Sequence, residues 1–447
     1  LFSENTMQRT TIGLAVGLAL AAPMAQADDL KDLRDELAQL KRSYEERIAA
    51  LEARITQTEA AASEKVSRGG TPAGEAAFNP ALSLVLDGTY ARLSQDPERY
   101  ALNGFIPSGG EVGPPKRSFG LGESELGIAA NIDPNFRGQM TVALAPEGGA
   151  EVEEAYIQTL SLGSGATLRA GRFLSGIGYV NGQHAHAWDF TDAPLAYSAF
   201  LGGQWKNDGI QAKWVAPTDL LVELGGELGA GGTFPSTDRN KNGSTAGALF
   251  AHVGGDAGAN ASWRAGLSYL GSSPQDRQYG DVDSLGNDVT NRFSGKSRTW
   301  IADAVWKQDF GHERKLLVQG EYFRRRETGS LAFDINGANL ADAYRATQSG
   351  YYAQAVYQFM PRWRVGYRHD RLDSGSLELG SSLNVADLPI LAAYTPNRNT
   401  LMVDWSSSEF ARLRLQFARD ESRRDAIDRQ VWLQYVVSLG AHGAHRY

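Results

Sequence analysis

"ASWRAGLSYLGSS", residues 261–273, decides the fold. Side chains of an extended chain alternate between two faces, so Trp263, Ala265, Leu267 and Tyr269 share one side while Arg264, Gly266 and Ser268 share the other. The same alternation recurs in "ALSLVLDGTYARL" (81–93), "TWIADAVWKQDF" (299–310), "SGYYAQAVYQFM" (349–360), "WRVGYRHDRLD" (363–373) and "RQVWLQYVVSLG" (429–440). Soluble sandwiches alternate too. A membrane barrel adds aromatic girdles at the ends of its strands around a lipid-facing band, and Trp300 with Trp306, and Tyr351 with Tyr357 and Phe359, fit that arrangement.

Working outward, the turns give the strand number. Short turns fall at 133–136, 162–165, 216–219, 255–260, 311–314, 360–363 and 407–410, and longer Gly-, Ser-, Asp- and Asn-rich segments centre near 105, 148, 185, 238, 285, 337, 385 and 424. Seven turns and eight loops join sixteen strands. The expected fold class is all-β: a transmembrane antiparallel β-barrel of about 16 strands over residues 81–447, with no convincing helix after Phe78. An even count puts both barrel ends on the short-turn side, which is periplasmic in outer-membrane barrels. Sixteen strands enclose an aqueous lumen, whereas eight are filled by their own side chains.

Upstream, "MQRTTIGLAVGLALAAPMAQA" has a basic start, an apolar run from Ile12 to Ala22 and an Ala25-Gln26-Ala27 cleavage site, so residues 1–27 read as a secretory signal peptide with an extended start before Met7. Leu30, Leu33, Leu37, Leu40, Tyr44, Ile48, Leu51 and Ile55 then follow spacings of three and four between charged faces. That is a heptad seam, and residues 28–61 read as a coiled-coil stalk that requires partner chains. Residues 62–80 lose the period and gain Gly and Pro, as a linker does.

Composition narrows the chemistry. No cysteine occurs among 447 residues, which excludes disulfides, thiolate metal sites and cysteine nucleophiles. A net charge of −8 without a Lys- and Arg-rich block argues against nucleic acid. "GESEL" (122–126) is no nucleophile elbow, because no helix follows it. No enzyme activity and no cofactor are expected.

"GLGESELGIAANIDPNF" (120–136), "EVEEAYIQTL" (151–160), "LRAGRFLSGIGYVNGQHAHAWDF" (168–190) and the aromatic last residue Tyr447 carry a family resemblance. The chain resembles bacterial outer-membrane porins of the phosphate-selective porin O and P type, and is similar to porin-like proteins sometimes labelled zinc-regulated outer-membrane receptors. The resemblance implies an outer-membrane protein with its stalk in the periplasm, a homotrimer through barrel and coiled coil, and outer-membrane lipid around it. It implies passive diffusion of small hydrophilic solutes or ions past a third external loop folded into the barrel. A channel biased to divalent metal ions such as zinc, and a coiled-coil envelope tether, are the alternatives. A receptor with a plug would need about twenty-two strands.

Strand five is "ATLRAGRFL" (166–174), so that third loop runs from Ser175 to Gln204 and contains "NGQHAHAWDF" (181–190). Its imidazoles, indole and carboxylates can replace part of a solute's hydration shell, which makes His184, His186, Trp188, Asp189 and Asp192 the expected pore constriction. No Lys or Arg lies between Leu174 and Gln204, a departure from phosphate selectivity. If the apolar set faces lipid, Arg169, Arg264, Arg364, Arg368, Arg412 and Arg414 line the pore. They either oppose an acidic loop across the throat or pair with Glu321, Asp370 and Asp404 and solvate the wall. His184 and His186, with His442 and His445, are weak metal candidates, since two imidazoles at i and i+2 lack a third ligand. Histidines in the throat would gain charge between about pH 7.5 and 5.5.

Overall fold

The computed structural model describes residues 80–109, 112–144 and 148–440. The signal peptide, the coiled coil and most of the linker lie outside the described residues, as do His442, His445 and Tyr447. The strand segments form a closed antiparallel ring of sixteen staves. They are β1 (Ala81–Leu93), β2 (Ser118–Leu121 and Ser124–Asn131), β3 (Phe136–Leu144), β4 (Ala150–Thr159), β5 (Ala166–Leu174), β6 (Lys206–Val215), β7 (Leu221–Gly229) and β8 (Ala246–Asp256). The ring continues with β9 (Ala261–Ser272 and Arg277–Val282), β10 (Asp288–Asp309), β11 (Lys315–Phe333), β12 (Leu340–Met360), β13 (Trp363–Leu379), β14 (Asn397–Ser408), β15 (Ala411–Arg423) and β16 (Ala426–Gly440). The two halves of β2 both pair with β1, and the two halves of β9 both pair with β10, so each counts as one interrupted stave.

β1 closes the ring on β16, from Ser83 opposite Gly440 to Leu93 opposite Gln430. Both barrel ends therefore share one rim, the rim of the short turns. Closure also removes every open sheet edge, which a hydrocarbon solvent would not tolerate.

The polarity of the wall is inverted relative to a soluble protein. Leu267, Trp300, Tyr322, Tyr367, Leu401, Phe417 and Tyr435 are exposed outward, while Asp303, Glu321, Arg325, Glu327, Arg368, Asp370, Asp404 and Arg414 are buried inward. β10 shows the cause in one strand: its burial pattern alternates residue by residue, with Trp300 half exposed beside a fully buried Ile301. Such a surface is stable only where its outer face meets lipid.

One expectation fails. A short helix, α1 (Leu195–Leu201), sits in the loop between β5 and β6, with all seven residues buried. Gly202 ends it in the left-handed conformation (φ 69°). Seven residues are too few for a helical period to be read against the strand pattern around them, but a helix satisfies much of its own backbone where no ladder is within reach.

The inverted polarity makes a direct prediction. Leu267→Arg, placing a charge on the outer face of β9, should cost about 2–4 kcal/mol if it lies near the bilayer midplane. Urea titration of the barrel refolded in lipid vesicles measures this, and an unchanged midpoint would show that the face does not meet lipid.

Candidate functional site: a loop bonded to the inner wall

Residues 175–205 leave β5 and turn inward. Asn181 ties the neck, its side-chain amide donating to the carbonyls of Ser175 (2.9 Å) and Trp205 (3.0 Å) and its oxygen accepting from the Trp205 N–H (2.7 Å). A backbone buried away from any ladder still needs partners for each N–H and C=O, and the wall supplies them. The Gly176 N–H donates to Glu227 on β7 (2.9 Å) and the Gly178 N–H to Ser268 on β9 (3.1 Å). The N–H groups of Tyr179 and Val180 donate to the two carboxylate oxygens of Glu321 on β11 (3.1 Å each).

Gly178 holds φ +65°, and a Cβ there would collide with the Glu321 carboxylate, so both conformation and space require glycine. Glu321 also accepts from the hydroxyls of Tyr197 (2.9 Å) and Tyr352 (2.7 Å). Burial, and then the Glu321 charge, push the Tyr197 hydroxyl well above the ordinary tyrosine range.

On the far side the loop meets arginines. Arg412 donates to the His186 carbonyl, Arg414 to that of Trp188 (2.7 Å), Arg368 to that of Asp192 (2.8 Å) and Arg398 to that of Ala193 (2.6 Å). Asp189 pairs with Arg364 (2.8 Å), which also clamps Asp404 (2.6 Å). Asp192 pairs with Arg368 (2.9 Å) and Arg398, and accepts from Gln416 (2.8 Å). Burial alone would raise the Asp192 carboxyl, but the charges of Arg368 and Arg398 outweigh it and hold the group below the ordinary carboxylate range. α1 then packs beneath Phe323, Tyr352 and Leu372 of β11–β13, with Phe200 stacked on Phe323 at 5.7 Å.

The two readings of the wall arginines resolve residue by residue. Arg364 and Arg368 pair with Asp404 and Asp370, as the wall-solvation reading has it, and also with the loop's own Asp189 and Asp192. Glu321 serves tyrosines and backbone N–H groups instead of an arginine. Arg264 donates to the Gly178 carbonyl (3.2 Å), whereas Arg169 lies over Tyr156 and bonds Gln158 (2.9 Å). Trp188 donates its indole N–H to the Gln183 carbonyl (3.0 Å). Arg398 was missed by sequence reasoning although it alternates with Thr400, Met402 and Asp404 in β14.

The two histidines face a different wall. His184 Nδ1 lies 3.0 Å from Glu153 and 3.2 Å from Glu125, and its Nε2 lies 3.3 Å from Glu154. His186 Nδ1 bonds Glu125 at 2.8 Å, and the two rings stack at 5.7 Å. Burial opposes charge on His184, but the hydrogen bonds to Glu153 and Glu154 and the charge of Glu125 prevail and lift its pKa well above the ordinary value. The titration expected of a throat histidine is therefore displaced upward at His184. "GESEL" and "EVEEAY" supply these carboxylates; the consecutive Glu153 and Glu154 are both buried because the β3–β4 register shifts between Thr141 and Val142, which strand alternation does not reveal.

No known protein-family profile matches the chain. A relative from Aquifex aeolicus (strain VF5), described as an uncharacterized protein, is 29% identical over 440 residues, covering 92% of this chain and 86% of that one. Among solved structures, a loop L8 deletion mutant of OmpT, an outer membrane protein of Vibrio cholerae, superposes with a TM-score of 0.53 at 13% identity, over 81% of this chain and 100% of that one. The in-vitro folded trimer form of OmpT gives 0.50 at 13% identity, over 81% and 99%. Together with the inverted polarity of the wall, these likenesses define the fold as an outer-membrane β-barrel.

The ion pairs of Asp192 can be tested directly. Asp192→Ala leaves Arg368 and Arg398 without their loop partner and should destabilise the loop by about 3–5 kcal/mol, the range for breaking a buried pair. It should be read as faster amide hydrogen exchange over residues 186–194. Because the folded-state pKa of Asp192 is lowered, its contribution is complete above the unfolded value of about 3.9 and is lost as pH falls through the lower folded value. Protection of the segment, corrected for intrinsic exchange, should hold from about pH 7 to 5 and fail only below about pH 4; loss near neutrality would contradict the pairing.

Proposed function

We propose that the chain forms a channel of the bacterial outer membrane through which small hydrophilic solutes or ions diffuse, and that residues 175–205 narrow it. The observation that carries this reading is the loop itself: a segment bonded to inward-facing groups on staves from β2 to β15 occupies a lumen that sixteen staves would otherwise leave open. The solute path runs on the β3–β6 side, where Gln139 with Tyr156, and Gln158 with Arg169, bond among themselves. His184, His186, Trp188, Asp189 and Asp192 belong to the constriction, the two aspartates by pinning it and the histidines by edging it. Arg364, Arg368, Arg398, Arg412 and Arg414 are spent on loop carbonyls and aspartates, while Glu125, Glu153 and Glu154 face two imidazoles, Glu154 also accepting from the Leu174 N–H. The reading is therefore a cation-tolerant throat, in keeping with architecture of the porin O and P type but not with phosphate selectivity.

The outer face supports a homotrimer. β10–β13 run for 17 to 22 residues, whereas β3–β5 run for 9 or 10. β2–β5 carry no Trp, and their one Tyr, Tyr156, turns inward to Gln139 and Arg169. An aromatic girdle marks where a barrel meets headgroups; a face whose exposed aromatics on β2–β5 are Phe119 and Phe136, with neither Trp nor outward Tyr, fits one covered by further copies of the chain. Residues 28–61 would add a periplasmic stalk to that contact.

Unitary conductance in planar bilayers tests the reading. Asp189→Ala combined with Asp192→Ala should give a larger unitary conductance than the parent, because the pinned segment is released from the wall. Equal conductance would show that the loop does not set the width of the path, and absence of any channel activity in the parent would remove the proposal altogether.

A further inference from the structure

We propose that Glu125, Glu153 and His184 form a coordination site for a divalent transition-metal ion at the acidic flank of the loop. The channel reading gives the site its place on the solute path, but the coordination itself stands without it. The three ligand atoms come from β2, β4 and the loop, and all lie within 4.8 Å of one another. Bonds of about 2.0–2.2 Å from a tetrahedral ion to nitrogen and oxygen place neighbouring ligand atoms roughly 3.3–3.5 Å apart. His184 Nδ1 already stands 3.0 Å from Glu153 Oε2 and 3.2 Å from Glu125 Oε2, close to that spacing.

The surroundings point the same way. A metal-bound imidazole characteristically donates its other N–H to a carboxylate, which fixes tautomer and ring orientation. Glu154 Oε2 occupies that position, 3.3 Å from His184 Nε2. The second oxygen of Glu125 is held by His186 Nδ1 at 2.8 Å, the outer support that a ligating carboxylate needs, and the His186 ring stacks on His184 within 14° of parallel. Glu125, Glu153 and Glu154 are 4%, 2% and 5% exposed, so three carboxylates share a buried pocket with two imidazoles, and a dication would offset their charge.

One imidazole nitrogen and two carboxylates, with no thiolate, favour zinc, cobalt or nickel over copper(I), and the nitrogen disfavours magnesium and calcium. On binding, the ion takes the place of the Nδ1 proton, which leaves to water, and water or a passing solute fills the remaining position.

Equilibrium dialysis of the detergent-solubilised full chain against zinc chloride, in a His442→Ala/His445→Ala background, tests the site. One ion per chain is expected, with His184→Gln and Glu153→Gln abolishing binding and Glu154→Gln weakening it by roughly 10- to 100-fold. Cobalt absorption-edge spectroscopy on the unsubstituted chain should show one imidazole among oxygen ligands, and it decides the matter if the variants fail to fold. Absence of binding, binding unchanged by His184→Gln, equal competition by magnesium, or a cobalt shell without imidazole would overturn the proposal and leave a histidine–carboxylate ion cluster. Conductance separates the two readings: metal binding without channel activity would sink the channel and keep the site, while channel activity without metal binding would do the reverse.

Discussion

A segment of backbone laid inside a barrel cannot leave its N–H and C=O groups unpaired, and the structure depends on how that demand is met. The staves have already spent their own backbone groups on the ladder, so what residues 175–205 do not bond among themselves falls to side chains. Glu227, Ser268 and Glu321 accept from the loop's N–H groups, while Arg264, Arg368, Arg398, Arg412 and Arg414 donate to its carbonyls. Acceptors also lie among the arginines, where Asp370 takes the Leu195 N–H and Gln416 the Thr191 N–H, so both ends of the backbone's demand are met around the wall.

The same demand redistributes charge. An arginine paired with an aspartate contributes little free potential to the aqueous path, which is why Arg364, Arg368 and Arg398 on β13 and β14 do not amount to an open basic stripe. The opposite arc keeps Glu125, Glu153 and Glu154 against two imidazoles, with Lys206 engaged by Glu151 at 2.9 Å. The buried pairs are costly to desolvate, and their value lies in fixing one loop conformation as much as in stability.

Much of the barrel was legible in the sequence because a period of two and Gly- or Asp-rich turns are local signals. Each short turn falls where its residues place it, and β5 matches "ATLRAGRFL" to the residue. What could not be read was long-range: that Asp192 finds Arg368 and Arg398, or that His184 meets Glu125 and Glu153, depends on which way a thirty-residue segment folds across a lumen. Helix α1 was hidden by its shortness, and Arg398 by sitting in a strand whose apolar face is weak. His184 illustrates the limit best, since an isolated imidazole reads as a switch near neutrality, and its three carboxylate neighbours raise its pKa above the ordinary value.

The cysteine-free chain allows one decisive measurement. Gly182 is exposed on the loop with room for a side chain, and Leu285 is exposed in the segment between β9 and β10. Unitary current should be recorded from Gly182→Cys and Leu285→Cys while a charged, water-soluble thiol reagent is added. A stepwise fall in current on modification at 182, with none at 285, is the result that a constricting loop requires. Current unchanged by complete modification at 182 would place the loop off the path and contradict the account.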